Sequence, residues 1–127
     1  MKYIHSITPF FSDSRGEMSR ILNNVENIVS ILLITSRKGS IRANHYHKKD
    51  IHYMYLLTGK MEYSYKEVRK SNSRIKKLIV KPNELIKTPA MTSHATRFLE
   101  DSTFLAFSIR PRDFKSYEND TIRVKLI

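Results

Sequence analysis

Four of the chain's five histidines occur at spacings that would bring their side chains together. His45 and His47 are two residues apart, which on a β-strand places both imidazoles on one face. His52 follows after a Lys-Lys-Asp turn, and His94 follows a second turn at Pro89. If the strands that carry them face each other across a barrel, all four rings converge. We therefore predict one shared cavity.

Clustered imidazoles support two kinds of chemistry. Neutral imidazole is a ligand for Zn, Ni, Cu or Fe, and four nitrogen ligands leave one or two positions for water. Imidazole is also a general base near neutral pH, and tyrosine is a suitable partner acid. Tyr63 and Tyr65 follow Gly59 on the next predicted strand and are the candidates for that acid. The residues by themselves leave both kinds of site open. His5 has no such company, so we expect it to be structural or exposed.

Short strands separated by turns must position these residues. Only three glycines and four prolines punctuate the chain, and β-rich runs recur between them. The runs predicted as strands are 1–8, 29–35, 41–47, 52–57, 61–65, 78–80, 85–88, 94–99 and 103–109. No long amphipathic helix or internal repeat is present, so the pattern predicts an all-β sandwich or barrel.

The turns between the runs predict the connections. Gly59 lies in a tight turn that would join 52–57 and 61–65 in a hairpin, and residues 100–102 would join the last two runs in another. We expect a further turn at 13–16, a polar connector at 23–27, and a tail with a helical turn near 113–117 before a terminal strand.

The composition predicts one domain over residues 1–127, because a chain of this length can bury a core without covalent staples. It contains no cysteine, which excludes disulfides and thiolate ligands. Residues 1–16 lack a long apolar segment, and no stretch approaches the length of a membrane span. We therefore expect no signal peptide, no membrane association and a cytoplasmic location.

The charge balance favours an anionic partner. The chain has 23 basic and 12 acidic residues, which suits a nucleotide phosphate, a nucleic acid or a membrane surface and is equally typical of a well-solvated surface. The most basic segment, 66–77, is short, lacks interleaved aromatic residues and is typical of an exposed hairpin tip. We therefore do not expect nucleic-acid binding.

The stretch from Gly39 to Gly59 resembles the first conserved motif of the cupins. Gly39, five residues, His45-x-His47, four residues, His52, six residues and Gly59 keep its spacing. The one departure is His52, where cupins usually carry Glu.

A second stretch keeps the spacing of the second cupin motif. Asn83, five residues, Pro89-x-Met91, two residues, His94, three residues and Phe98 match it in length. Asn83 and Met91 stand where cupins usually have Gly, and Phe98 where they usually have Asn.

The resemblance to cupins implies a small β-barrel of the jelly-roll type, also called a double-stranded β-helix. Cupins of this size are commonly homodimers. The resemblance also implies a divalent transition metal, such as Fe, Mn, Ni or Zn, held by His45, His47, His52 and His94.

Two further stretches, FFSDSRGEM and SRKGSIRANHYHK, resemble the dTDP-sugar 3,5-epimerases and 3,4-ketoisomerases, with Ala43 where those families have Gly. These enzymes remove a proton next to a ketone and return it elsewhere without a metal. The resemblance implies that His45 or His47 is the catalytic base and that Arg15 and Arg42 lie near the nucleotide phosphates.

We therefore expect an epimerase or isomerase of nucleotide-linked keto-sugars in surface polysaccharide biosynthesis, with a tyrosine such as Tyr63 or Tyr65 as the acid. One alternative is a metal-dependent cupin, an oxygenase or a simple isomerase, that uses the four histidines. Another is a non-catalytic sugar-binding or assembly module. That module would have a cavity blocked by Met54, Met91 or Phe98.

Overall fold

Short antiparallel strands form almost all of the regular structure. The computed structural model describes residues 3–23, 25 and 27–127. In chain order the elements are β1 (Ile4–Ser6), β2 (Pro9–Asp13), β3 (Gly16–Ser19), β4 (Ser30–Ser36), β5 (Ile41–His47), β6 (His52–Thr58), β7 (Met61–Glu67), β8 (Lys76–Val80), β9 (Glu84–Thr88), β10 (Thr92–Phe98), β11 (Ser102–Ser108), α1 (Phe114–Asp120) and β12 (Thr121–Arg123). No helix in the described ranges is long and apolar enough to cross a membrane.

Two five-stranded sheets form the barrel. One has the strand order β1-β9-β6-β11-β4 and the other β12-β5-β10-β7-β8. Their inner faces contribute apolar side chains to one buried core, with Leu56 and Phe104 from the first sheet and Tyr63 and Phe98 from the second. This arrangement confirms the predicted jelly-roll fold.

The two hairpins predicted around Gly59 and residues 100–102 are wrong, because the joined strands do not pair with each other. β6 pairs with β9 and β11, whereas β7 pairs with β8 and β10. Likewise β10 and β11 belong to different sheets. Both tight turns are therefore arches that carry the chain from one sheet to the other. A short turn between two β-rich runs has the same sequence signature in either case.

Other local predictions agree with the structure. The turn at 13–16 closes the β2–β3 hairpin, whose two strands pair only with each other. β1 forms within the predicted strand 1–8 and lies at a sheet edge, although residues 1 and 2 lie outside the described part of the chain. The predicted connector at 23–27 includes residues 24 and 26, which also lie outside it. The tail forms α1 and then β12.

The predicted strand at 29–35 forms β4, but its apolar residues face two ways. Leu32 and Ile34 point into the barrel interior. Ile31 and Leu33 point outward and are 63% and 68% exposed. β4 is also the last strand of its sheet, so an apolar row lies beside a free strand edge.

Positions that carry glycine in the resembled families keep a left-handed backbone here without glycine. Ala43, Asn83 and Met91 have φ of 72°, 68° and 59°. Asparagine tolerates this conformation better than most residues, whereas alanine and methionine are strained in it. The backbone of the motifs is therefore retained although their residues have changed.

Replacing Gly59 with Ala should destabilise the fold far more than the same change at Gly39. Both glycines have positive φ, 99° and 87°, which costs an L-residue about 1–2 kcal/mol. A Cβ on Gly59 would also overlap Ser102 and lie 2.6 Å from the Asp101 carbonyl oxygen, whereas one on Gly39 meets nothing within 4 Å. Urea unfolding of the two variants should differ by about 2 kcal/mol or more in the free energy of unfolding. Equal losses would contradict the tight packing of the Gly59 arch.

Candidate active site

The four predicted histidines meet in the barrel interior. His45 and His47 lie on β5 and His94 on the adjacent β10, while His52 begins β6 of the opposite sheet. All four side chains are buried. The His94 ring centroid lies 4.8 Å from that of His45 and 4.9 Å from that of His52, and the His45 and His47 centroids are 4.7 Å apart. The spacing in the sequence therefore located the cluster correctly. The fifth histidine, His5, is exposed on β1.

A β-bulge in β5 shapes the approach to the cluster. His45 is opposite His94 and Ala43 is opposite Ala95, so Asn44 is the additional residue. Asn44 has φ of 56°, and its side-chain oxygen accepts hydrogen bonds from the backbone N–H groups of residues 126 and 127 at 2.9 and 3.1 Å. The tail thus holds the bulge in place.

Three imidazoles are oriented through Nδ1 and leave Nε2 without a partner. His94 Nδ1 lies 3.0 Å from the Thr92 carbonyl oxygen. His47 Nδ1 lies 3.2 Å from Thr121 Oγ1, and His52 Nδ1 lies 2.9 Å from a guanidinium nitrogen of Arg112. The Nε2 atoms of all three are buried and form no hydrogen bond. Buried polar atoms are normally satisfied, so three orphaned nitrogens in one cluster point to a ligand.

All four imidazoles are neutral near pH 7. Burial is the main cause and lowers the pKa of His45 to about 2, of His47 to about 3 and of His94 to about 4. A contact with the Thr92 carbonyl opposes part of this effect at His94. Burial also lowers the pKa of His52 well below its usual value. Each ring therefore retains one nitrogen lone pair.

Three of the histidines, His45, His52 and His94, line a cavity of about 320 Å³, and His47 packs against them without lining it. One part of its wall is apolar and is formed by Leu32, Ile34, Met54, Phe98, Phe104 and Ala106. The polar part includes His45, His52, His94, Arg42, Arg112 and Tyr117. An apolar pocket with a few convergent polar groups is typical of a small-molecule site. Met54 and Phe98 form part of the wall and leave the space open, and Met91 does not line it, so none of these three residues blocks the cavity.

Arg112 and Tyr117 were not identified from the sequence. Arg112 is 14% exposed and lies 3.2 Å from Asp50 Oδ2, while its Nε donates to Ser108 Oγ at 2.7 Å. Its guanidinium also lies 5.0 Å from the centroid of the Tyr117 ring. The sequence of this region predicts a helical turn at 113–117. That prediction does not indicate that the turn lies against the cavity or that Arg112 and Tyr117 line it.

Two aspartates fix the turn between β5 and β6. Asp120, at the end of α1, accepts from the backbone N–H groups of Lys49 and Asp50 at 2.9 Å each. Asp50 in turn accepts from the N–H groups of Ile109 and Arg110 at 3.2 Å each. Burial raises the pKa of the Asp50 carboxyl, and Arg112 opposes that effect. The helix, the turn and Arg112 therefore form one polar network.

The two tyrosines predicted as acids do not reach the cavity in this structure. The Tyr63 hydroxyl lies in the core, 2.5 Å from Thr88 Oγ1. Tyr65 packs against Tyr3 with ring centroids 4.4 Å apart. Strand alternation predicts that Tyr63 and Tyr65 share one face of β7. It does not predict whether a side chain on that face lies in the core or in the cavity wall. Tyr117 is the tyrosine in the cavity wall.

The two predicted phosphate-binding arginines differ in position. Arg42 lines the cavity and donates to Ser36 Oγ at 2.7 Å and to the Thr35 carbonyl oxygen at 3.0 Å. Arg15 lies at the tip of the β2–β3 hairpin, is 82% exposed and is paired with Asp13 at 2.7 Å. Arg15 does not line the cavity in this chain.

Two sets of side chains have the spacing of metal ligands. The ligand atoms of His45, His47 and His94 lie within 4.8 Å of one another, as do those of His47, Asp50 and His52. Backbone hydrogen bonds engage Asp50 Oδ1, and the ion pair with Arg112 engages Oδ2. The orphaned Nε2 atoms of His47 and His94 make the first set the better fit for a transition metal.

This geometry defines a class of protein, the jelly-roll barrels with a cavity lined by histidines. The chain belongs to the family described as the polysaccharide biosynthesis C-terminal domain, whose sequence model matches residues 11–122. No curated protein matches it significantly in sequence.

Solved structures share the fold. A dTDP-4-dehydrorhamnose 3,5-epimerase from Sulfolobus tokodaii is 19% identical over 94% of this chain and 73% of its own, with a TM-score of 0.74. The sugar 3,4-ketoisomerase QdtA from Thermoanaerobacterium thermosaccharolyticum, solved with TDP, is 19% identical over 94% and 85%, with a TM-score of 0.70. The capsular polysaccharide assembling protein CapF from Staphylococcus aureus is 17% identical over 96% of this chain but 33% of its own, with a TM-score of 0.70.

Proposed function

We propose that the chain is an epimerase or isomerase of nucleotide-linked keto-sugars that serves surface polysaccharide biosynthesis. The observation that carries this proposal is the cavity itself, where the neutral imidazoles of His45, His52 and His94 lie beside Arg112 and Tyr117 and those of His52 and His94 have unpartnered Nε2 atoms. The family match supports the pathway. The fold shared with sugar epimerases and ketoisomerases supports the reaction class.

The position of Arg42 supports an anionic nucleotide sugar as the substrate. Arg42 lines both the histidine cavity and a neighbouring open groove of about 550 Å³. That groove also carries Arg37, Ser36 and Ser40, which are suitable donors to phosphate oxygens. We place the sugar in the cavity and the diphosphate in the groove. Arg15 would take part only from another copy or another conformation.

Each neutral imidazole has a lone pair that can accept a proton from the sugar. His45 or His47 would remove the proton from a carbon next to the ketone, and the electron pair of that C–H bond would move to the ketone oxygen. Return of a proton to the same carbon from the other side inverts that carbon. Return of a proton to the former ketone carbon, with the proton of the neighbouring hydroxyl passing to the former ketone oxygen, moves the ketone to the deprotonated carbon. Either outcome exchanges a carbon-bound hydrogen with solvent.

We assign the return of the proton to Tyr117, a tyrosine that lines the cavity. Its ring lies 5.5 Å from the His47 ring and 6.0 Å from the His45 ring. Burial raises the pKa of its hydroxyl, so it remains protonated at neutral pH and can act as a donor. This assignment replaces Tyr63 and Tyr65 in the expected mechanism.

The same cavity suits a divalent transition metal, such as Fe, Mn, Ni or Zn, and we propose it as a second candidate arrangement. His45, His47 and His94 would hold the ion. Such an ion supplies Lewis-acid polarisation of a carbonyl oxygen. Histidines that serve as ligands are unavailable as bases, so metal content decides which role they have.

We also propose a homodimer. The outward row of Ile31 and Leu33 beside the free edge of β4 and the exposed Phe10, Phe11 and Met18 on the β2–β3 hairpin are apolar surfaces that a second copy could cover. Contiguous exposed apolar surface is typical of such interfaces.

Incubation with a dTDP-4-keto-6-deoxyhexose in deuterated water should place deuterium on a carbon next to the ketone. Tyr117→Phe should slow this exchange by about 100-fold or more because the proton donor is lost. Tyr63→Phe is the matched control and should retain the rate within about tenfold, once circular dichroism shows that it is folded. No exchange by the native protein would contradict the proposed function.

Protein purified without an affinity tag should contain about one transition-metal ion per chain if the metal arrangement is correct. Elemental analysis of His94→Ala should then show a clear loss of metal, because one of three ligands is removed. His5→Ala removes an exposed histidine and should leave the content unchanged. A native preparation that lacks metal and does not bind added metal would exclude this arrangement while leaving the acid–base one intact.

Leu33→Asp should convert the dimer to a monomer, because it places a charge in the apolar row. Light scattering coupled to size-exclusion chromatography would measure the mass. Ile79→Asp changes an exposed apolar residue on the other sheet and should leave the dimer intact. A native protein that is monomeric at micromolar concentration would contradict the proposed dimer.

A further inference from the structure

The partners of the imidazole Nδ1 atoms determine where each ring carries its proton. A guanidinium has only donors. His52 Nδ1 therefore accepts the hydrogen bond from Arg112, at 2.9 Å. A neutral imidazole has one N–H group, so that of His52 is on Nε2.

His94 and His47 have the opposite arrangement. The Thr92 carbonyl oxygen can only accept, so His94 Nδ1 donates and its Nε2 has a free lone pair. Thr121 gives its hydroxyl proton to the Tyr117 carbonyl oxygen at 2.5 Å. Its oxygen therefore accepts from His47 Nδ1, and His47 Nε2 also has a free lone pair.

Neighbouring groups hold Arg112 in place, so that His52 keeps a tautomer different from that of His47 and His94. It lies 3.2 Å from Asp50 Oδ2, donates to Ser108 Oγ and is 14% exposed. Asp50 is itself fixed by two backbone N–H groups. The cationic partner cannot reverse its hydrogen bond to His52, because arginine stays protonated.

We infer that His52, which lines the cavity, carries its proton on Nε2 whereas His47 and His94 keep free Nε2 lone pairs, and that Arg112 is the positioning residue that sets the His52 tautomer. Two consequences follow. His52 has no lone pair for a metal, so the four-histidine ligand set expected from the sequence is reduced to three. In the proposed reaction, on which this second consequence rests, His52 donates to the ketone oxygen and stabilises the negative charge that develops there.

The tautomers can be read directly by nitrogen NMR of protein labelled with ¹⁵N in the histidine rings. A long-range ¹H–¹⁵N correlation at neutral pH should show a protonated Nε2 for His52 and a protonated Nδ1 for His47 and His94. His52→Gln and His94→Gln spectra assign the signals by loss of one ring each. A native His52 with a protonated Nδ1 would overturn the inference.

Arg112→Met should remove the preference of His52 for the Nε2–H tautomer, so that the ring shows a mixture of both tautomers. His94 should keep its Nδ1–H tautomer. Arg110→Met is the matched control, because that side chain is exposed and has no contact with the histidines, and it should leave all signals unchanged. An unchanged His52 tautomer in folded Arg112→Met would contradict the role of Arg112. If this variant does not fold, the native spectrum still decides the tautomer.

Addition of Zn²⁺ alone provides a second readout. Signals of His47 and His94 should shift on binding, whereas His52 should keep its Nε2 proton. Loss of that proton on metal addition would show that His52 is a ligand and would overturn the inference.

The solvent-exchange assay separates the tautomer from its catalytic use. His52→Gln keeps an N–H donor and should retain kcat within about tenfold, whereas His52→Leu should lower kcat by about 100-fold or more with little change in KM. Equal activities would refute the catalytic use of His52 alone. Native protein without exchange activity but with the expected tautomers would refute the proposed function and leave the assignment of the tautomer intact.

Discussion

Burial of four imidazoles in mutual contact is the constraint on which the site depends. The rings lie about 5 Å apart in an interior that disfavours charge, so the cluster is stable only while each ring is neutral. Neutral imidazoles must then be oriented by neighbours, because each presents one donor and one acceptor. The start of β10 (Thr92), the segment between β11 and α1 (Arg112) and the start of β12 (Thr121) supply those neighbours. The polar network around Asp50 and Asp120 is thus the support of the cavity.

The fold and the histidine cluster could be predicted because their signals are local. The alternation of side chains along a strand predicts that His45 and His47 share a face. The spacing of the two motifs predicts that His52 and His94 join them. Strand pairing could not be predicted from the same signals, since a short turn at Gly59 suits a hairpin and an arch equally well. Which strands become neighbours depends on how two sheets stack, and no single turn carries that information.

The residues that complete the site lie in the C-terminal tail. This segment has no motif or strand pattern that indicates a functional site. Arg112 and Tyr117 reach the cavity because β12 pairs with β5, which brings Thr121 opposite His47. That pairing joins strands more than seventy residues apart. No periodic pattern in the sequence indicates it. Tyr63 and Tyr65, by contrast, satisfied the local pattern and belong to the core. Nearness in sequence to a catalytic motif is therefore a weak guide in a barrel whose open end is closed by a distant segment.

The arches between the sheets also bear on how the chain reaches its native state. Because successive strands from β4 to β7 alternate between sheets, each must find partners far along the chain, as when Ser36 of β4 meets Ser102 of β11. Among the strands of the described residues, only the β2–β3 and β7–β8 pairs form from adjacent segments. Long loops must close before most pairings stabilise the chain, which places such topologies among slow folders, in the range of milliseconds to seconds. During that interval the apolar edge of β4 is exposed, so the nascent chain is most vulnerable to aggregation there.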